Sequence, residues 1–247
     1  MNVIDRSIRP AAAALAALLA ACTAATASAG PPAAPAAEAP PPSASAAVAD
    51  PDSIAAALRR ATLPSSPRQV QFGWALDEAG SRFNGRGVAR YHAPDRFRLD
   101  LFGPRGETYL AGALVGETAR VPASVMQRFT LPSPALLWAA VGVVRPPAAV
   151  RLASATDEGG RVTVRYELGE GGTLEYRAQG GHLESVRRLR GSAVQESVEI
   201  ERSADGAIRS ARYRDWPALR NLNLTLESST DAASFSEDTW SPPGADR

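Results

Sequence analysis

The residue types that carry chemistry are few in this chain, and their spacing argues against catalysis. Its only thiol is Cys22, which stands where an uncharged run of Ala and Leu ends. The only imidazoles, His92 and His182, lie far apart with no neighbouring carboxylate pair or cysteine, so they lack the spacing of zinc ligands. No serine stands in a G-x-S-x-G turn, and Gly85-Arg86-Gly87 lacks the strand-to-helix context and further glycine of a phosphate-cradling loop; it reads as a hairpin. The acids rarely pair in apolar surroundings of the kind that raise a carboxyl pKa for proton transfer. No enzymatic activity, metal or cofactor is expected.

Charge excludes another class. The 27 basic residues are all Arg and nearly balance 26 acids, for a formal net charge of +1, so no bulk field gathers nucleic acid or acidic polymers. Arg187, Arg188, Arg190, Arg209, Arg212 and Arg214 form a denser group on predicted strands. They read first as a solvated outer face balanced by Glu196, Glu199 and Glu201, and second as a surface for anionic headgroups.

The first residues have the order of an export signal. Arg6 and Arg9 precede residues 11 to 21, which are only Ala and Leu. That run is about half of the roughly 20 residues needed to span a bilayer, so it reads as a removable signal core. Leu19-Ala20-Ala21-Cys22 resembles the lipobox of bacterial lipoproteins. The resemblance implies cleavage after residue 21, alkylation of the Cys22 thiol by diacylglycerol and further fatty acylation there, with no other cofactor. Two or more acyl chains anchor a protein firmly where one holds it marginally. Thr23 in the following position implies sorting to the outer membrane, on its periplasmic face. With Cys22 so used, no thiol remains for a disulfide, and the fold must stand on its core.

Residues 22–50 are almost entirely Ala, Pro and Ser and cannot bury enough surface to fold. They read as a tether reaching up to roughly 85 Å, at about 3.1 Å per residue. The folded domain is expected over residues 51–244. Asp52 and the Ile54/Leu58 pair open a short amphipathic helix that Pro64 and Pro67 stop.

Alternation with period two then takes over, as in Phe72, Trp74, Leu76; Phe97, Leu99, Leu101; Val162, Val164, Tyr166; and Leu222, Leu224, Leu226. Asn84-Gly85, Gly159-Gly160, Gly171-Gly172 and Asp205-Gly206 supply hairpin turns. The expected fold is mainly β, an antiparallel meander of about ten strands that curls into a half-barrel. Ser133-Pro134 starts a mid-chain helix, apolar on every side through Leu136, Leu137, Trp138 and Val141. It either fills the concavity as core or closes it as a lid.

The parts and some local sequence resemble the superfamily of the periplasmic lipoprotein carrier and the outer-membrane lipoprotein receptor (LolA/LolB-like). The resemblance rests on Tyr91 to Gly106 with its Pro104-Arg105-Gly106 turn, on Leu131 to Gly142 with Trp138, on Asp215-Trp216, and on Phe235 to Gly244. It implies a monomer that binds acyl chains or lipoproteins on its concave apolar surface and receives or inserts lipoprotein cargo at the outer membrane. Candidate lining residues are Phe72, Trp74, Leu76, Phe97, Leu99, Leu101, Leu137, Trp138 and Val141. The membrane-facing turn would carry Arg105 where the receptor has an exposed leucine, with Phe102 as a substitute wedge. The competing expectation is a tethered envelope scaffold whose barrel is filled by its own side chains and which acts through protein partners.

Overall fold

Asp50 opens the folded part: its carboxylate accepts a hydrogen bond from the Ser53 amide at 3.2 Å, and Pro51 sits in the first turn, where a missing N–H costs nothing. The computed structural model describes residues 50–126 and 131–244, so the expected signal segment, Cys22 and nearly all of the tether lie outside the described residues. Helix α1 spans Pro51–Thr62 and buries Ala55 and Leu58. Its cap is Asp50 rather than the expected Asp52, because a proline fits at the first helical position and fixes the start one residue after Asp50.

The described residues form twelve strands: β1 Arg68–Glu78, β2 Ser81–His92, β3 Arg96–Phe102, β4 Thr108–Val115, β5 Thr118–Arg120, β6 Arg151–Glu158, β7 Arg161–Leu168, β8 Gly172–Gln179, β9 His182–Arg190, β10 Ala193–Arg202, β11 Ile208–Asp215 and β12 Arg220–Asp231. They make one antiparallel sheet in the order β5-β4-β3-β2-β1-β12-β11-β10-β9-β8-β7-β6. Two meanders therefore meet where β1 pairs with β12, from Arg68 opposite Asp231 to Glu78 opposite Arg220. The sheet is curled and unclosed, with β5 and β6 as its edges. The chain between those edges carries α2 (Ala123–Met126) and α3 (Pro134–Ala140). The expected curled half-barrel is thus the architecture found, with two strands more than the alternation suggested.

One expected hairpin is not a hairpin. Asn84, Gly85 and Gly87 all lie inside β2, and the chain turns instead at Ala79-Gly80, both at positive φ. Gly85 pairs with Trp74 and Gly87 with Phe72 across the β1–β2 ladder. A Cβ at Gly85 would lie 1.9 Å from the Phe102 carbonyl oxygen, and one at Gly87 would lie 2.4 Å from the Phe72 ring. These glycines make room for large rings and a neighbouring backbone rather than supplying a turn.

Inward side chains of both meanders meet on α3. Leu136 and Ala139 join a cluster with Val164, Tyr176, Leu183, Val186 and Val198, while Trp138 joins Val70, Phe72, Tyr91 and Phe97 on the other side. The Trp138 ring meets those of Phe97 and Tyr91 edge-on at 5.2 and 5.9 Å. Each fully buried large side chain contributes about 1.5–3 kcal/mol, which is how a domain without disulfides is held together. On the outer face, the C-terminal segment buries Trp240 beside β3 and β4, and Arg98 donates to the Thr239 carbonyl at 2.9 Å.

Candidate functional site

The concave face is not filled evenly. Along its centre Leu99, Leu137, Leu222, Leu224 and Leu226 are only half-buried, although their strand and helix positions point them inward. Two small apolar cavities lie between them. One, of about 90 Å³, is walled by Trp74, Leu76, Phe97, Leu101 and Leu110; the other, of about 50 Å³, by Val70, Phe72, Ala89, Val141 and Val198. Leu99, Leu137, Tyr213 and Leu222 border both. The two are lobes of one hollow between the sheet and α3.

The hollow has a polar end. Tyr213 hydroxyl donates to Glu196 Oε1 at 2.6 Å, Arg188 pairs with the other oxygen of Glu196, and Arg220 Nε donates to Glu78 at 2.8 Å. Burial and the Glu196 carboxylate push the Tyr213 hydroxyl far above the ordinary tyrosine range, so it stays a neutral donor. Glu196 was expected on the outer face. Glu196 is an even step from the inward Val198 and pairs with Arg188, itself an even step from the buried Val186, so plain alternation turns it inward; the bulge between Val194 and Glu196 instead takes Val194 out of that row. Arg188 accompanies it, so the six arginines do not form one outer face.

Eight of the nine expected lining residues border the hollow: Phe72, Trp74, Leu76, Phe97, Leu99, Leu101, Leu137 and Val141. Trp138 does not. It is fully buried among Tyr91, Phe97 and the Arg145 guanidinium, which stacks 6.0 Å from its ring centre. Of the two residues expected at the membrane-facing turn, Arg105 is exposed, its amide held by Glu107 at 2.9 Å. Phe102 is half-buried and faces an outer groove shared with Asp100, Ala111 and Pro243, so it does not project as a wedge.

Sequence reasoning missed the polar end and also Arg145. This guanidinium follows α3, bonds Glu117 at 2.9 Å and the Gly116 carbonyl at 3.0 Å, and so ties the exit of α3 to the β4–β5 turn. An arginine just past an apolar helix and before Pro146-Pro147 was the available signal, since helix ends favour cations.

No family model matches the sequence, and no curated relative does. Among solved structures, the chain is similar to a LolA superfamily protein from Nitrosomonas europaea, at 10% identity and a TM-score of 0.52, over 78% of this chain and 98% of that one. It also aligns with an outer membrane lipoprotein-sorting protein domain from Vibrio parahaemolyticus at 9% identity and a TM-score of 0.48, over 76% and 95%. A third match is MucB in complex with MucA from Pseudomonas aeruginosa, at 12% identity and a TM-score of 0.34, over 78% and 62%. The fold is that of the LolA superfamily structure. At such identity the likeness speaks for the fold alone.

Proposed function

We propose that this chain is an outer-membrane-anchored envelope lipoprotein of the LolB-like type, held by acyl groups on Cys22, that takes a hydrocarbon chain of a lipid or lipoprotein into the hollow between its curled sheet and α3. The observation that carries the reading is the row of half-buried leucines, Leu99, Leu137 and Leu222, around an apolar hollow that ends in a polar cluster. Such a hollow suits an amphiphile. Each methylene buried contributes about 0.8 kcal/mol, and the Arg188 and Arg220 guanidiniums bring positive charge to that end for a head group, while the Tyr213 hydroxyl, whose proton is engaged by Glu196, is left as an acceptor. Binding of this kind is non-catalytic and loosely selective.

The cavities are small, about 90 and 50 Å³, which is the observation favouring the scaffold reading. Under the carrier reading they are the closed state, and entry of a chain parts Leu137 and Val141 from the sheet. Titration of the full chain with a fluorescent fatty acid separates the two. Saturable binding that an unlabelled phospholipid displaces supports the carrier. An unchanged probe spectrum across the titration supports the filled scaffold.

A further inference from the structure

The turn between β11 and β12 is Trp216-Pro217-Ala218-Leu219, and it exposes its two large apolar side chains. Trp216 is 44% and Leu219 75% exposed. Leu219 also sits at φ 50°, a left-handed conformation that costs a residue with a Cβ about 1 kcal/mol or more and that Gly or Asn adopts readily. A leucine here is unfavourable twice, in backbone and in solvation.

The turn is nonetheless tied by four hydrogen bonds. Trp216 N donates to Gln195 O at 3.0 Å, Ala218 N to Asp215 Oδ1 at 3.0 Å and Leu219 N to Trp216 O at 3.2 Å, while Leu219 O accepts from Ala79 N at 3.4 Å. Chain geometry thus holds the two side chains outward.

We propose that this tip is a membrane-contact wedge that seats Trp216 and Leu219 in the headgroup region of a zwitterionic bilayer. Several observations select a lipid surface over a protein. Two tip side chains are far too little for a stable protein interface, which needs about 800 Å² per partner, whereas an indole and a leucine suit the headgroup boundary. Of the charges beside the tip, Asp77 pairs with Arg82 and Glu78 with Arg220, so these four add no net charge to the contact.

The chain also arrives from this end. Ala61, in the last turn of α1, lies by Gly181 in the β8–β9 turn at the opposite end of the sheet, while Ala56 and Arg59 share a groove with Tyr166 near the end of β7, so α1 runs away from the end where the tip projects. Cys22 is 28 residues before Asp50. The Arg105 turn shares this end and presents a guanidinium, leaving the apolar contact to Trp216 and Leu219. The orientation rests on the Cys22 anchor proposed above; the insertion itself does not.

The test is quenching of tryptophan emission in the full chain by phosphatidylcholine vesicles with brominated acyl chains. Trp74, Trp138 and Trp240 are at most 3% exposed, so the quenched component belongs to Trp216 and disappears in Trp216→Tyr. Leu219→Gly relieves the left-handed strain and leaves the melting temperature equal or higher, while it lowers the ratio of inserted to free tip about tenfold. Equal quenching in wild type and Trp216→Tyr, or no loss in Leu219→Gly, overturns the proposal. So does iodide quenching of Trp216 that vesicles leave unchanged, which assigns the tip to water or a protein partner. The mass of the N-terminal peptide reports separately on Cys22. An unacylated chain with a vesicle-quenched Trp216 removes the anchor and keeps the wedge.

Discussion

Trp74 lies across Gly85 on the neighbouring strand, and its indole N–H bridges the carbonyls of Arg86 and Phe102, at 3.1 Å each. A Cβ at residue 85 would come within 3.0 Å of that nitrogen. One ring thereby secures three strands and forms a wall of the hollow, so the shape of the site depends on glycines that look like turn residues.

Gly87 and Phe72 form the companion pair, and they should be energetically coupled. Gly87→Ala is expected to destabilise by about 1–3 kcal/mol, because the Phe72 ring must move. In the Phe72→Leu background the same change should cost clearly less. Chemical denaturation of the four variants checks this, and additive costs would show that ring and glycine act independently.

The strands were legible because their alternation is clean, and Phe72, Trp74, Leu76, Phe97 and Leu101 are buried as read. The hairpin at Asn84-Gly85 was misread because turn propensity is local, whereas those glycines answer to rings on another strand. Pairing of β1 with β12 joins the two ends of the domain, and no local pattern encodes it. At the site, apolar lining followed from parity, and Glu196 obeys the same parity as Val198, but a carboxylate on the inward row reads as an outer residue when charge is weighed above alternation. Trp138 illustrates a limit of periodicity: an all-apolar helix gives no sign of which side chain meets space and which meets rings.

Trp138→Ala should cost about 3–5 kcal/mol, as for a large ring removed from a packed core. Leu137, one residue earlier, borders the hollow, and Leu137→Ala should cost less than half as much. Thermal melts of the two variants measure the difference. Equal losses would make α3 a uniformly packed plug.

Arg145→Met removes the tie between the exit of α3 and the β4–β5 turn while keeping the apolar stem of the side chain. Amide exchange at residues 141–144 should accelerate, and uptake of an acyl probe with it. Faster exchange without faster uptake would place the entry elsewhere.

Acid should weaken the sheet through Glu175. Burial pushes its carboxyl up, but hydrogen bonds and charge from Arg165 and Arg177 outweigh this and leave its pKa below the ordinary value. A depressed folded-state pKa gives stability that is fully present above the unfolded value of about 4.3 and lost as pH falls through the folded one. Glu175→Gln should therefore flatten the stability curve below about pH 4.3 and lower stability at neutral pH. Parallel curves for the two proteins would refute this assignment.

The central claim is that the hollow admits hydrocarbon, and Leu99 lies in its middle. Native mass spectrometry of the full chain, extracted gently from membranes, reads this directly when wild type and Leu99→Gln are compared. The account predicts one non-covalent lipid on the wild type beyond any acyl groups on Cys22. Affinity should fall about fivefold or more in the variant, and occupancy with it, since an amide in that path costs about 1–3 kcal/mol. Wild type that carries no lipid under any gentle extraction, or lipid held equally by Leu99→Gln, would contradict it.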